Sequence, residues 1–258
     1  MRRLIDTHCH LDFDNLAKRI DHWLSVCEER GIESLVLPSV TERRAESVMA
    51  IGHQYPQVSV ALGLHPYFTD EHLPEHLDRL EVRISQNRGA VIAVGEIGLD
   101  KSVGNMDAQT HYFSRQLLLA KKFDLPVIIH SFKTHSEVLG LLRRYEIKSG
   151  VIHAYSGSEQ DAMKFIDQGL FIGVGAVITW PGSKKTRSTI SNLPIERLVL
   201  ETDAPDMPVQ GQKKGDGTPL NLLDVFSELS ALRSESQDTL AKALYRNTFE
   251  LFSRLRDE

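Results

Sequence analysis

Ala90-Val91-Ile92-Ala93-Val94 is an unbroken apolar run of β-favouring residues, and it ends abruptly in Gly95-Glu96-Ile97-Gly98-Leu99-Asp100. A strand with one wet face alternates apolar and polar residues, whereas an unbroken run is what a strand covered on both faces requires. The same form recurs at residues 4–5, 34–38, 58–62, 126–129, 150–152, 170–174 and 198–200, giving eight runs in all.

Helical spacing fills the intervals. Leu16, Ile20, Trp23, Leu24 and Cys27 form one stripe closed by Gly31, and Leu73, Leu77, Leu80 and Ile84 form another behind an expected N-cap at Asp70. Val138, Leu141, Leu142 and Tyr145 form a third, and Ser158-Glu159-Gln160-Asp161 has the form of a capping box. After the eighth run come a helix over 222–232 and a last one from Ser236. Strict strand–helix alternation implies parallel strands with right-handed crossovers, and eight of them favour a closed α/β barrel of the (β/α)8 type over an open doubly wound sheet. The 258 residues match the roughly 250 that such a barrel needs, so one domain over residues 1–258 is expected. No Gly-x-Gly-x-x-Gly follows the first run, which argues against a dinucleotide-binding open sheet.

Composition narrows the function classes. Hydrophobic residues make up 41% and charged residues 25%, the balance of a folded globular chain. The net charge of -5 advertises no polyanion partner, so any nucleic-acid contact must be local. No apolar run approaches the roughly 18 residues of a membrane span. Arg2-Arg3 is followed only by Leu4-Ile5 before Asp6, which leaves no apolar signal region. Two cysteines, Cys9 and Cys27, make no disulfide framework and no Cys-x-x-Cys site, so a cytoplasmic location is expected, with Cys27 in the core.

Polar residues stand where the runs end, and in a barrel those ends carry the chemistry. The first ends in His8-Cys9-His10, the third in Gly63-Leu64-His65-Pro66, the fourth at Glu96, the fifth in His130-Ser131, the sixth in His153-Ala154-Tyr155-Ser156-Gly157 and the eighth in Glu201-Thr202-Asp203-Ala204-Pro205. On an extended chain His8 and His10 project to one side, as two ligands of one metal require, with Cys9 turned away. Glu96 closing an apolar strand costs several kcal/mol unless paired or bound to a cation. Glu201 and Asp203 are read as one acid on each face of their strand end, one of them inward. Taken singly, each histidine is more often a hydrogen-bonded core residue; taken together, His8, His10, Glu96, His130, His153 and Asp203 converge on one metal centre. His22, His53, His72, His76 and His111 are read as ordinary helix residues, and His135 as a residue behind the site.

These ordered blocks resemble the TatD family of metal-dependent deoxyribonucleases, within the amidohydrolase-like barrels, and the resemblance runs essentially end to end. It implies two divalent cations, one held by His8, His10 and Asp203, the other by His130 and His153, with Glu96 bridging. Nitrogen and oxygen ligands without thiolate suit Zn, Mn, Co, Ni or Mg. It further implies a 3'-5' exonuclease that cleaves phosphodiesters of single-stranded DNA with a metal-activated water. In two respects the chain departs from the family: the fifth block usually continues with Arg after His-Ser, whereas Ser131-Phe132-Lys133 places Lys133 one residue further on, and the sixth block often carries Cys-Phe where Ala154-Tyr155 stands.

In that reading Asp203 is the general base, Glu96 is shared by both ions, and His65 donates a hydrogen bond to a phosphate oxygen, unless it is simply a turn histidine before Pro66. Lys133, Lys184, Lys185, Arg187, Lys213 and Lys214 are expected on rim loops as phosphate contacts, with Tyr67, Tyr155 and Trp180 either packed or available to stack bases. Two competing functions share the ligands: hydrolysis of a carboxylic ester, amide or lactone, including an aminoacyl-tRNA ester, and a non-catalytic metal-stabilised scaffold. The oligomeric state, a monomer included, is left open.

Overall fold

The computed structural model describes residues 3–255, so Arg2 lies outside the described residues. Eight strands, β1 (Leu4–Asp6), β2 (Ile32–Pro38), β3 (Val58–Leu62), β4 (Val91–Asp100), β5 (Val127–Phe132), β6 (Gly150–Ile152), β7 (Phe171–Val174) and β8 (Leu198–Leu200), form one sheet in sequence order. Every neighbouring pair from β1 to β8 is parallel. The ring closes beyond the named strands: Thr7 N–H donates to Leu200 O at 2.9 Å, Asp203 N–H to His8 O at 2.8 Å and His10 N–H to Ala204 O at 2.8 Å. This is the expected (β/α)8 barrel.

The crossovers are α1 (Asp14–Ala17), α2 (Ile20–Glu29), α3 (Glu42–Gln54), α4 (Pro74–Gln86), α5 (Met106–Phe123), α6 (His135–Arg144), α7 (Glu159–Asp167) and α8 (Lys184–Asn192), followed by α9 (Asn221–Leu232) and α10 (Gln237–Leu251). Several caps follow the sequence reading. Ser158 accepts from Asp161 N–H, Ser236 from Thr239 N–H, and Gly31 sits at φ 80 just past α2. Two details differ. The stripe beginning at Leu16 is split between α1 and α2 by non-helical Arg19 (φ -137). The helix expected behind Asp70 starts instead at Pro74, because Pro66–Glu71 winds into a separate 3-10 turn and proline at the first helical position needs no N–H partner.

Two cores result. The larger lies between strands and helices; the smaller fills the barrel with Ile5, Val36, Ala61, Ile92, Ile128, Val151, Phe171 and Val199 and is stoppered by Leu251 at the end of α10 and by Phe252 and Leu255 after it. The closed end is thus apolar and the open end is left to polar groups. The register of β4 against β5 shifts between Val94 and Ile97, an irregularity of the kind that re-aims a side chain next to a site. Glu96 sits in that interval. A Cβ on Gly63 would stand 2.6 Å from the Glu96 carbonyl oxygen, so only glycine lets β3 approach the backbone that carries Glu96.

Candidate metal centre

Glu96, buried at 2% exposure, divides its carboxylate between two groups of imidazoles. Oε2 lies 3.2 Å from His8 Nε2 and 3.6 Å from His10 Nε2. Oε1 lies 2.7 Å from His153 Nε2, 2.9 Å from His65 Nε2 and 3.3 Å from His130 Nδ1. Asp203 Oδ1 stands 3.5 Å from His8 Nε2 and 3.4 Å from His10 Nε2. All seven predicted site residues therefore meet at the open end of the barrel.

The nitrogens face one another. His8 Nε2 and His10 Nε2 are 3.2 Å apart, and His130 Nδ1 and His153 Nε2 are 3.3 Å apart. A neutral imidazole has one acceptor nitrogen, so lone pairs at this distance repel unless a proton or a cation lies between them. The Nδ1 atoms of His8, His10 and His153 are buried with no hydrogen-bond partner among the described residues. Among those residues His8, His10 and Asp203 place donor atoms within 4.8 Å of one another, as do His65, Glu96 and His130, and also His8, His153 and Glu201. A buried set of imidazoles and carboxylates without thiolate fits a divalent cation.

The charges say the same. Burial alone would raise the Glu96 pKa, but His65, His153, His8 and His10 hold it well below the carboxylate range. Asp203 is lowered against burial by His10, His8 and His153. Burial opposes charge on His10, yet Asp203 and Glu96 push it up to about 10, and His153 is raised by Glu96 and Glu201. Protons on these rings thus meet the negative charge that a cation would meet. His65 goes the other way, to about 4, through burial and the neighbouring His130 and His153. Its Nδ1 accepts from Tyr67 N–H at 3.0 Å, so the neutral ring carries its proton on Nε2, directed at Glu96. His65 thus turns the chain at Pro66 and directs its Nε2–H at Glu96.

A model of the TatD related DNase family matches residues 5–253. The chain belongs to the TatD family. It is 39% identical over 254 residues to the uncharacterized metal-dependent hydrolase YjjV of Escherichia coli K12, covering 97% of this chain and 98% of that one. The crystal structure of YjjV superposes with a TM-score of 0.94 over the same shares. A Haemophilus influenzae metal-dependent hydrolase is 35% identical, over 96% of this chain and 98% of its own. A 3'-5' ssDNA/RNA exonuclease TatD from Erwinia tasmaniensis is 25% identical, over 97% of this chain and 100% of its own. The TatD-family chain is therefore a metal-dependent hydrolase.

Acids outside the predicted set hold the TatD ring histidines in place. Asp100 Oδ2 accepts from His130 Nε2 at 2.8 Å, which leaves Nδ1 as the acceptor facing Glu96; Asp100 Oδ1 is itself held by Ser102 N–H at 2.7 Å. Glu201 accepts from Ala154 N–H and lies 3.7 Å from His153 Nδ1, an ionic contact longer than a hydrogen bond. Glu201 therefore turns inward with Asp203, against the expectation of one acid per face; the chain has left β8 here, and Asp203 itself lies in the left-handed region at φ 56. Asp6 accepts from Thr202 N–H at 3.0 Å and Thr202 Oγ1 at 2.6 Å, and burial pushes its pKa up to about 8. Two buried glutamines on α5 clamp the loops. Gln116 Oε1 accepts from Leu64 N–H and Gln109 Oε1 from Asp100 N–H, both at 2.7 Å. Their seven-residue spacing on an apolar helix face was the available signal.

Several peripheral expectations change. Lys184, Lys185 and Arg187 lie on α8 rather than on a loop, and Arg187 is engaged by Glu228 at 2.6 Å and by Ile178 O. Tyr155 is buried, stacked on His135 at 5.1 Å with its hydroxyl donating to Ser158 O, so it offers no face to a base. Trp180 Nε1–H donates to Pro208 O at 3.1 Å. His72 is not in a helix: it is buried after the 3-10 turn with Nε2 2.9 Å from His65 O. Cys9 and Cys27 are both buried and free. No described helix is long and apolar enough to cross a membrane.

Proposed function

We propose that this chain degrades single-stranded DNA from its 3' end, using two divalent cations to hydrolyse phosphodiester bonds. The division of the Glu96 carboxylate between the His8–His10 side and the His130–His153 side carries the reading. His8, His10 and Asp203 would hold one cation, His130 and His153 the other, and Glu96 would serve both. The name of the Erwinia relative supports the choice of a single-stranded phosphodiester.

Bound cations supply Lewis acidity, neutralising charge on phosphoryl oxygens and easing deprotonation of water. The protein groups do the rest. Asp203, held ionised beside His8 and His10, takes a proton at its carboxylate. Asp100 fixes the His130 tautomer, and Glu201 places negative charge 3.7 Å from His153 Nδ1. His65 keeps its proton on Nε2, and the hydrogen bond it gives Glu96 Oε1 can be redirected to an anionic oxygen of the substrate.

The test is elemental analysis of the purified protein together with turnover of 5'-labelled single-stranded DNA under Zn, Mn, Co, Ni or Mg, against a panel of lactones, amides and carboxylic esters that includes an aminoacyl-tRNA. Two metal equivalents and shortening from the 3' end are expected. Glu96→Gln should abolish turnover and lower metal content while leaving the chain folded, since the barrel core is aliphatic. Turnover of the carbonyl panel without DNA cleavage would replace the phosphodiester reading. Full metal binding by Glu96→Gln would remove its bridging role.

A further inference from the structure

Alternate residues of β5 face the barrel axis. Ile128 packs in the inner core at the closed end, and His130 two residues on reaches Glu96. Phe132, two residues further, has the same parity and stands about 6.6 Å beyond His130 toward the mouth, from the rise of an extended chain. It is still part of the sheet, in register with Asp100 and with its carbonyl accepting from Lys101 N–H at 3.1 Å. Its backbone is therefore fixed, yet the residue is 44% exposed, whereas Val127, Ile128 and Ile129 of the same strand are fully buried. Lys133, in the left-handed region at φ 57, folds its ammonium back over the ring, 5.3 Å from the centroid.

A phenyl ring at solvent on a sheet-held backbone, one step above the proposed reaction centre and accompanied by a cation, matches how single-stranded nucleic acid is held: aromatic faces take bases and neighbouring cations take phosphates. We propose that Phe132 is the stacking platform for the nucleobase adjoining the scissile phosphate, with Lys133 contacting the next phosphate. The two-residue rise between His130 and Phe132 is comparable to the sugar that separates a base from its phosphate. The assignment rests on the phosphodiester reading above and narrows it, because a platform at this place favours substrates that present a base there over those that present phosphate alone.

The metal-loaded wild type, Phe132→Ala and Phe132→Trp are compared on a short single-stranded deoxyoligonucleotide and on copies carrying an abasic tetrahydrofuran residue on either side of the scissile bond. In the wild type an abasic residue on one side should cost about 5- to 100-fold in kcat/KM, carried by KM. Phe132→Ala should lose as much on the intact strand and cease to distinguish it from the abasic one, with metal content unchanged; Phe132→Trp should keep the distinction. Fluorescence of 2-aminopurine at that position should be quenched on binding to wild type and to Phe132→Trp but not to Phe132→Ala. A Phe132→Ala protein that distinguishes the strands as well as wild type overturns the platform. Equal turnover of the intact strand and both abasic strands by wild type overturns the platform alone, whereas no turnover of any strand overturns the phosphodiester reading and the platform with it.

Discussion

Asp203 is the inward acid closest to solvent in the cluster, and His10 and His8 hold it in the form that accepts a proton. Asp203→Asn keeps the shape and removes the proposed base, so turnover should fall by roughly 10² to 10⁴, measured as kcat at saturating metal. A second residue gives a pH signature away from the cluster. His135 stacks on Tyr155, and burial, reinforced by Lys185 and opposed by Asp161 and Glu137, holds its pKa below the ordinary 6.5. The folded state then resists a proton that the unfolded chain accepts, so stability is lost as pH falls through about 6.5. Urea unfolding should show wild type losing ground to His135→Gln between about pH 7.5 and 5.5. A constant gap between the two would rule this out. The metal-ligand candidates were legible in the sequence because each ends an apolar run. Asp100 and Glu201 escaped because their work is done on a ring, and only register shows which ring each carboxylate reaches.

At the level of elements, the irregular stretch of β4 is where the barrel departs from a plain strand in order to seat Glu96. Gly63 on the neighbouring loop meets the Glu96 backbone so closely that an added methyl group must push it, since the opposing atoms are main chain. Gly63→Ala should reduce metal content and activity together. Gly182→Ala, whose Cβ would meet nothing within 4 Å, should leave both intact. Equal behaviour of the two variants would mean that the close approach does not position Glu96. The eight strands were readable because burial on both faces removes polar residues from them. The ends of β4 and β5 were not, since Glu96, Asp100 and His130 are polar and strand-bound at once, and a polar residue reads as a strand stop. Arg187 was misplaced for a similar reason: α8 begins Lys184-Lys185-Thr186-Arg187, a polar opening turn that looks like loop.

Considered as a whole molecule, the barrel has one seam, where its first and last strands meet. Among the described residues only a few backbone hydrogen bonds cross it beyond β1 and β8, donated by Thr7, His10 and Asp203, with the Asp6 carboxylate tying in Thr202. His8 and His10 stand on one side of that seam and Asp203 on the other. A cation held by these three would act as a rivet joining the two ends of the chain, so chelation should loosen the closure as well as silence the chemistry. Hydrogen exchange at the amides of Thr7, His10 and Asp203 should accelerate when metal is removed, while amides bonding β2 to β3 keep their protection. Unchanged exchange at the seam would place the cation elsewhere. A nascent chain that has not yet delivered residue 203 would lack the far side of the rivet, so capture of this cation, unlike that of one held by His130 and His153, would mark the moment at which the ring is complete.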